Sequence, residues 1–332
     1  MPFKISESLR VKKNTMKSVR KTVIITAAGL LGALLLYVIA GSALTVHSLL
    51  NPDDIQRDRA DIFKVLDKWA PGTKEWAIEN MEAGRLKDTT LILPDGARMH
   101  CYYMAAEGGS AKTAILVHGY TSNPFEMISY IQMFRDSLGF NVFVPALRGH
   151  EQSDGNIQLG WKDRLDIEQV IPVAHEIFQD TLQVLHGVSM GGATVMMCSG
   201  DPLPEYVRAI IEDSGYTRVR EEVHYLRSDP TFLIVDGAGL LCKLIYGWGF
   251  REASSVSQLH QCKLPMLFIH GDADNFVPTD MAYENYDAKT IGTRRIWIVP
   301  GATHAQSYNT DPATYTATVR DFLSQSLFLN GN

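Results

Sequence analysis

Two types of apolar segment divide the chain. Residues 22–44 form an unbroken run of 23 positions without a charged side chain, so no face of a helix built from them is polar. From about Leu86 onward, short apolar runs of four to six residues alternate with longer amphipathic stretches. Short runs bounded by turn residues indicate buried strands, and amphipathic stretches indicate helices. The alternation favours an α/β fold with a mainly parallel sheet that helices cover on both faces.

The individual elements follow from the same pattern. The predicted strands are the short runs at residues 89–93, 99–105, 113–117, 141–145, 182–186, 209–212, 265–270 and 295–299. The predicted helices are the longer stretches at residues 125–138, 162–178, 190–199, 280–289 and 311–327. Upstream, two short helices are predicted at about 54–69 and 74–81, separated by the helix-breaking pair Pro71-Gly72.

The run at 22–44 has the length of a membrane span. A helix of 23 residues is ~35 Å long, and the hydrocarbon core of a bilayer is ~30 Å thick. Residues 1–21 hold seven basic side chains and one acidic one, a net +6, so the rest of the chain carries −12. This predicts an uncleaved signal anchor with its basic end in the cytoplasm and the remaining chain on the extracytoplasmic side. The alternative is a signal peptide cleaved near Gly41-Ser42-Ala43, which would give a secreted protein.

Composition narrows the class of protein further. The chain has 332 residues, of which 45% are hydrophobic and 20% charged, and this ordinary globular composition excludes a disordered, collagen-like or multi-span membrane chain. The net charge of −6 argues against a nucleic-acid partner, because phosphate binding needs a basic surface. The four cysteines show no Cys-x-x-Cys spacing. We therefore predict neither a disulfide framework nor a metal site, and we expect no cofactor.

The sequence Gly187-Val188-Ser189-Met190-Gly191 lies between a predicted strand and a predicted helix. Gly-x-Ser-x-Gly in this setting is typical of a nucleophile elbow. Such a turn forces the serine into a strained backbone conformation, and its neighbours must be small because strand and helix crowd together there. The context makes Ser189 the candidate nucleophile.

A serine nucleophile needs a base, and the base needs an orienting carboxylate. After an elbow of this kind the acid comes next in the chain, and the histidine follows it. His304, directly after the last predicted strand, is the candidate base, because α/β active sites form where sheet strands end. Asp274 is the candidate acid, after the strand at 265–270. Asp272, two residues earlier, is expected to fix the turn through backbone N–H groups, and Asp213 is a third candidate.

The oxyanion that forms during acyl transfer needs two backbone donors. One is expected to be the N–H of Met190, directly after the nucleophile. The other should come from the loop that follows the strand at 113–117, and we assign it to Tyr120. His118, at the start of that loop, is expected to hold the loop by a hydrogen bond.

Five motifs, in this order along the chain, carry a family resemblance. They are His118-Gly119-Tyr120, Arg148-Gly149-His150, Gly187-Val188-Ser189-Met190-Gly191-Gly192, Gly271-Asp272-Ala273-Asp274-Asn275-Phe276-Val277-Pro278 and Gly301-Ala302-Thr303-His304. From about residue 86 to the end the chain resembles α/β-hydrolase-fold serine hydrolases. It is similar to the bacterial membrane-anchored hydrolases related to the Bem46-like group.

The resemblance implies an eight-stranded sheet, no metal, and a triad of Ser189 as nucleophile, Asp274 as orienting acid and His304 as base. There is one departure from the family pattern. Many relatives continue Arg-Gly-His with Gly-x-Ser, whereas this chain continues with Glu151-Gln152-Ser153. The departure touches no triad position.

These observations give a domain plan. We expect a basic segment at 1–21, a transmembrane anchor at 22–44, a juxtamembrane connector at 45–85 and a hydrolase domain at 86–332. The domain contains an insertion at about 214–264, which is long for a connection and rich in apolar side chains. We interpret the insertion as a cap that walls an acyl pocket, which favours an apolar acyl or aromatic substrate group. The alternative is a helix pair that only packs on the sheet.

Three classes of function fit these residues. The first is a carboxylesterase- or lipase-like hydrolase that cleaves a small-molecule ester or thioester through an acyl-enzyme on Ser189. The second is an acyltransferase or serine peptidase with the same triad, since only the acceptor or the leaving group differs. The third is a non-catalytic binding module tethered to the membrane. The complete set of Ser189, Asp274 and His304 argues against the third, and we expect the first.

Overall fold

A central eight-stranded sheet organises the computed structural model, which describes residues 3–54, 59–227 and 232–328. The strands are β1 Lys87–Ile92, β2 Arg98–Met104, β3 Lys112–Val117, β4 Asn141–Pro145, β5 Leu182–Val188, β6 Val207–Asp213, β7 Met266–Gly271 and β8 Arg294–Val299. Their order across the sheet is β1-β2-β4-β3-β5-β6-β7-β8. β2 is antiparallel to β1 and β4, and the other neighbours are parallel. The eight predicted strands and the mainly parallel α/β fold are thus confirmed.

Both faces of the sheet are covered, as its apolar strands predict. In β3, Ile115 and Val117 point into one core cluster, and Ala114 and Leu116 point into the cluster on the opposite face. Successive side chains of a strand alternate between faces. A strand that is apolar at every position therefore needs helices on both sides.

The helices cover those two faces. Within the described ranges they are α1 Phe3–Leu50, α2 Arg59–Trp69, α3 Thr73–Glu82, α4 Ile128–Gln132, α5 Asp163–Phe178, α6 Met190–Cys198, α7 Val219–Arg227, α8 Leu233–Tyr246, α9 Ser255–Leu259, α10 Thr279–Ala288, α11 Ser307–Thr310 and α12 Pro312–Phe328. The predicted helices at 162–178, 190–199, 280–289 and 311–327 are confirmed as α5, α6, α10 and α12.

The segment predicted as a helix at 125–138 is helical, but it is not a uniform α-helix. The segment begins as a 3₁₀ turn at Pro124–Met127, continues as α4 and ends in a π-helical turn at Met133–Ser137. The side chain of Asn123 accepts the N–H of Phe125, which starts the tight first turn. At the other end, the N–H of Leu138 reaches the carbonyl of Met133, five residues back. Amphipathic periodicity reports which face is buried but does not distinguish these three turn types.

Helix α1 is longer than the predicted span. It covers 48 residues, Phe3–Leu50, and it contains the one segment in the described part of the chain that is long and apolar enough to cross a membrane. In its middle, side chains such as Leu30 and Leu36 are exposed, whereas Val46 and Leu50 at its end are buried in the core. The same helix therefore has an exposed apolar middle and an end that packs into the globular domain.

Helices α2 and α3 pack on the sheet domain. Ile62, Leu66 and Ala77 are buried in the core cluster on one face of the sheet. The ring of Phe63 contacts that of Phe125 edge to face, with 5.5 Å between their centroids. The predicted connector thus contributes to the core, and its boundaries at 45 and 85 remain a prediction.

The insertion between β6 and β7 contains α7, α8 and α9. Of these, α8 lies against the end of α1. The hydroxyl of Ser42 donates to the carbonyl of Ile234 over 3.0 Å, and a Cβ built on Gly237 would approach the Ser42 side chain to 2.3 Å. Small residues therefore allow the two helices to approach closely.

Candidate active site

The turn between β5 and α6 places Ser189 at the carboxyl edge of the sheet. Its backbone has φ 58° and ψ −120°, a strained conformation for a residue other than glycine. A Cβ on Gly187 would lie 2.1 Å from the carbonyl oxygen of Gly191, and one on Gly191 would lie 2.0 Å from that of Val117. The close approach of strand and helix therefore requires both glycines.

Ser189, His304 and Asp274 form a continuous hydrogen-bonded series. The Oγ of Ser189 lies 2.8 Å from the Nε2 of His304. The Nδ1 of His304 lies 2.8 Å from the Oδ2 of Asp274. The three residues follow β5, β8 and β7, and the carboxyl ends of these parallel strands meet at one edge of the sheet.

The carboxylate of Asp274 is buried and heavily hydrogen-bonded. Its Oδ1 accepts the N–H groups of Phe276 and Val277, and its Oδ2 lies 3.3 Å from the Nε2 of His270. Burial favours the neutral acid, but the contacts from His270, His304 and the Phe276 N–H outweigh it and hold the pKa of Asp274 well below its usual range. Asp274 is therefore an anion in contact with two imidazole rings.

The two other candidate carboxylates make different contacts. Asp272 accepts the N–H of Gly301 over 2.6 Å, which ties together the loops after β7 and β8. Asp213 accepts the hydroxyls of Ser214 and Ser307, and its backbone carbonyl accepts the N–H of Ser189. Both therefore hold backbone segments around the site, whereas Asp274 reaches the imidazole.

The loop that follows β3 lies directly beside the serine. A Cβ built on Gly119 would be 3.2 Å from the Cβ of Ser189 and 3.6 Å from its Oγ. On the other side, Met190 is the first residue of α6, and the first N–H groups of a helix have no acceptor within the helix. The loop containing Tyr120 and the start of α6 thus flank the hydroxyl, while the assignment of the two donor N–H groups remains a prediction.

Two histidines hold this loop in place. Burial lowers the pKa of His118, and the neutral ring accepts the Leu147 N–H at Nε2 over 3.0 Å and lies 2.8 Å from the Gly119 carbonyl at Nδ1. Burial also lowers the pKa of His150, whose Nε2 lies 2.6 Å from the carbonyl of Tyr120. The expected structural role of His118 is consistent with these contacts.

The same loop is bonded to the end of α1. The hydroxyl of Tyr120 lies 3.2 Å from the carbonyl oxygen of Ser48 and 3.0 Å from that of Leu49. The last carbonyl groups of a helix accept no N–H from within the helix, so a side-chain hydroxyl can donate to them instead. The loop beside Ser189 is therefore fixed directly to the last turn of the apolar helix.

The segment Glu151-Gln152-Ser153, which departs from the family pattern, makes specific contacts. The carboxylate of Glu151 accepts the hydroxyl of Tyr102. The Oγ of Ser153 accepts the N–H of His100 and donates to the carbonyl of Ala146. The segment thus ties the loop after β4 to β2.

Ser189 borders two cavities. One, of about 310 Å³, is lined by the 119–122 loop and by the loop that carries His304. The other, of about 60 Å³, is walled by Leu49 of α1 and by Val219, Val223 and Leu226 of α7, and is almost entirely apolar. The part of the insertion that reaches the serine is therefore α7, while α8 lies against α1.

Three residues of the site lie beyond the sequence-based assignments. His270 contacts Asp274, four residues later. Its position at the end of a predicted strand, where α/β active sites form, is the feature of the sequence that could have placed it in the site. Leu49 and Glu222 line the smaller cavity, and neither belongs to a motif. Among the described residues no group of three His, Cys, Asp or Glu side chains is arranged to hold a metal ion, and the expected lack of a cofactor stays a prediction.

Two buried carboxyl groups are held near the site. Burial raises the pKa of Glu212, on β6, to about 8, although the nearby His270 favours its anion. Burial also raises the pKa of Glu222, on α7, to about 8, and the charge of Asp274 acts in the same direction. Both groups therefore keep their protons at neutral pH.

The proton on Glu212 makes the stability of the fold depend on pH. Its pKa is raised from an ordinary 4.5 to about 8, so the folded state binds this proton more tightly than the unfolded state. The resulting stabilisation is complete below about pH 4.5 and is lost as the pH rises to about 8. We expect the unfolding temperature of the parent protein to fall, relative to Glu212→Gln, by about 5 °C between those limits. Calorimetry of both full-length proteins in detergent tests this, and parallel pH profiles would contradict it.

Comparison with known proteins places the chain in a family. A sequence profile described as "Alpha/beta hydrolase family" matches residues 114–318. YqkD of Bacillus subtilis is 27% identical over 307 residues, covering 88% of this chain and 95% of its own. The membrane protein YNL320W of Saccharomyces cerevisiae is 24% identical, with 80% and 89% covered. Protein bem46 of Schizosaccharomyces pombe is also 24% identical, with 77% and 80% covered.

The fold has solved counterparts as well. Esterase Pf2001 of Pyrococcus furiosus superposes with a TM-score of 0.59 at 20% identity, covering 74% of this chain and 95% of its own. With the profile match spanning most of the globular part, the chain belongs to the alpha/beta hydrolase family.

Proposed function

We propose that this protein is a membrane-anchored serine hydrolase that cleaves carboxylic ester or thioester bonds through an acyl-enzyme on Ser189. The observation that carries the proposal is the pair of 2.8 Å contacts that link Ser189, His304 and Asp274. The hydrolase family and an esterase of the same fold support it. In this assignment Ser189 is the nucleophile, His304 the base and Asp274 the acid that orients the imidazole.

The geometry suits two acyl-transfer steps. In the first, the Oγ of Ser189 bonds to the substrate carbonyl carbon while its proton passes to the Nε2 of His304, and the carbonyl electrons move to oxygen. The N–H groups of Tyr120 and Met190 are our assigned donors to that oxyanion. The imidazolium, balanced by the Asp274 anion, then gives its proton to the departing alkoxide or thiolate as the C–O or C–S bond breaks.

The second step releases the acid. A water molecule gives a proton to His304 and bonds to the acyl carbon, and the resulting oxyanion occupies the same pair of N–H groups. When the intermediate collapses, the bond to Ser189 breaks and its oxygen recovers the proton from the imidazolium. The products are the free carboxylic acid and the restored enzyme. An alcohol or amine in place of water would give acyl transfer with the same residues.

The smaller cavity favours an apolar acyl group. Its walls include Leu159, Val219, Val223 and Leu226, and it meets the nucleophile directly. We expect p-nitrophenyl esters with apolar acyl chains to be hydrolysed with a higher kcat/KM than the acetate ester, because the added methylenes leave water. A panel of graded acyl length on the full-length protein in detergent measures this, with Ser189→Ala as the blank. Hydrolysis equal to the blank for every ester would contradict an esterase.

The apolar part of α1 is our proposed membrane span. It is exposed in the described structure and follows a strongly basic segment, which favours a cytoplasmic amino terminus and an extracytoplasmic hydrolase domain. We expect protease added to intact cells to degrade the hydrolase domain, while a tag before residue 21 stays protected until the cells are permeabilised. Protection of the domain in intact cells would reverse this topology. A mature chain that begins near Ala43 would favour the secreted alternative.

A further inference from the structure

Helix α8 has three chemically distinct faces. Val235, Ala238 and Cys242 point into the core and are fully buried. Two charged side chains form a second face, and both are paired within the domain: Asp236 with arginines 220 and 251, and Lys243 with the carboxylate of residue 252. The third face carries apolar side chains that the rest of the domain does not cover.

The uncovered face consists of leucine and isoleucine. Leu240, Leu244 and Ile245 are 63%, 75% and 59% exposed. Leu240 and Leu244 are four residues apart, so they lie on one side of the helix, and Ile245 lies about 100° further round it. Three large aliphatic side chains that are each more than half exposed on one helix are costly in water. With the charges on the adjacent face already paired, this side of α8 suits an apolar medium.

The packing of α8 on α1 determines where the uncovered face of α8 lies along the axis of the proposed span. The first turn of α8 meets α1 at Val38, Gly41 and Ser42, which are inside the apolar run at 22–44. At its other end, Tyr246 bonds to Asn156, and the next residue in the loop, at position 157, donates to the carbonyl of Leu50. Both helices therefore run side by side in the same direction. Leu240 and Leu244 lie between these two levels, at the edge of the hydrocarbon region.

We propose that α8 is a second membrane contact, with Leu240, Leu244 and Ile245 inserted into the lipid at the interface beside α1. The inference rests on the proposed membrane span of α1. Because α8 runs alongside α1 rather than in the membrane plane, its uncovered apolar side faces the lipid only near the end of the span, while its charged side chains stay with their partners in the domain. Lipid is the occupant because this side of α8 lies beside α1, at the level where the apolar run of the proposed span ends.

The position of α8 has a consequence for the substrate. The smaller cavity at Ser189 lies between Leu49, in the last turn of α1, and Leu226, at the end of α7 next to α8. The first wall belongs to the helix that carries the proposed span, and the second belongs to the helix that precedes α8. The chemical class that suits this position is an amphiphilic ester carried in the bilayer.

Fluorescence quenching in a bilayer tests the contact. The four native cysteines are all buried, so a cysteine placed at an exposed site can be labelled selectively with an NBD maleimide. We would label Leu244→Cys in the full-length protein, reconstituted in phosphatidylcholine nanodiscs that contain a doxyl-labelled lipid. The side chain at 244 is 75% exposed, so this substitution leaves the core intact.

Two further labelled variants calibrate the measurement. Leu31→Cys lies in the exposed apolar middle of α1 and reports on the span itself. Ile177→Cys is partly exposed at the end of α5, next to the start of β5, so it lies at the edge of the sheet away from Ser189. We expect the label at 244 to lose about as large a fraction of its emission as the label at 31. That fraction should be at least about twice the fraction lost by the label at 177.

The possible outcomes are separable. Quenching at 31 without quenching at 244 would overturn the lipid contact of α8 and leave the anchor standing. A 244 label shielded from both doxyl lipid and aqueous iodide would also overturn it, because a second protein surface would then cover the face. No quenching at 31 would remove the anchor and the inference together. Repeating the series in Ser189→Ala measures the lipid contact without catalysis. Failure of the lipid contact can therefore be distinguished from failure of the proposed esterase activity.

Discussion

Ser189→Ala is expected to lower kcat for ester hydrolysis by about 10³-fold or more. The methyl group cannot form the acyl-enzyme, and the Nε2 of His304 loses the hydroxyl that lies 2.8 Å away. The residual rate would come from water activated by the same imidazole within the cavity. KM is expected to change little, because the cavity walls that bind the acyl group stay in place. Steady-state kinetics on the preferred ester of the panel gives both constants.

Ser122→Ala provides the matched control for this experiment. Ser122 lines the larger cavity, and its hydroxyl makes a long 3.4 Å contact with the carbonyl of Asn123. The control variant should keep most of the parental kcat. If Ser189→Ala were as active as Ser122→Ala, the hydroxyl at 189 would not be the nucleophile.

Asp274→Asn is expected to lower kcat by about 10³–10⁴-fold. The carboxylate accepts from the Nδ1 of His304 over 2.8 Å, which fixes the tautomer whose Nε2 can take the serine proton. An amide that turns its NH₂ group toward Nδ1 favours the opposite tautomer, and it no longer balances the imidazolium charge. The remaining amide oxygen can still accept the N–H groups of Phe276 and Val277, so the loop should keep its conformation. Measuring both kcat and the unfolding temperature separates a loss of catalysis from a loss of loop structure.

Asp272→Asn is the control that decides between the two neighbouring acids. Asp272 accepts a single N–H, that of Gly301, and an asparagine oxygen can accept it equally well. We expect Asp272→Asn to keep most of the activity. A larger loss at 272 than at 274 would show that the orienting acid has been assigned to the wrong aspartate.

The sheet and the serine turn could be predicted because their signals are local. In β3 the four successive residues 114–117 are apolar, and such a run indicates that both faces of the strand are buried. The glycines at 187 and 191 are needed because any Cβ there would collide with a backbone carbonyl about 2 Å away. Each of these requirements acts within a few residues, so it leaves a readable mark in the sequence.

The contacts between α1 and the rest of the molecule could not be predicted from the sequence. The Ser42 hydroxyl meets the carbonyl of Ile234, 192 positions later, and the Tyr120 hydroxyl meets the carbonyls at the end of α1 from 71 and 72 positions away. The pattern of apolar and polar residues along the chain does not indicate which residues so far apart in sequence come into contact. The apolar run could be recognised as a candidate span, but the contact of the end of α1 with the loop beside Ser189 depends on tertiary packing.

The broken helix at 124–137 and the second imidazole on Asp274 have the same cause. Periodicity reports that Met133 and Phe134 are buried, but a π turn and an α turn bury similar positions. His270 reads as the last residue of an apolar strand, and its contact with Asp274 depends on how the following turn folds back. The pattern of apolar positions records which residues are buried, so it predicts neither feature.

The role of Ser189 as an activated nucleophile is tested most directly by mapping the site of covalent labelling by a fluorophosphonate. The probe reacts with a serine whose hydroxyl is activated by a base, so it requires Ser189 and His304 to act together. The full-length protein in membranes would be labelled, digested and analysed by peptide mass spectrometry, with His304→Ala in parallel. We expect a single adduct on Ser189 that is lost in His304→Ala. An adduct on a different serine, or equal labelling of Ser189 without the imidazole, would contradict it.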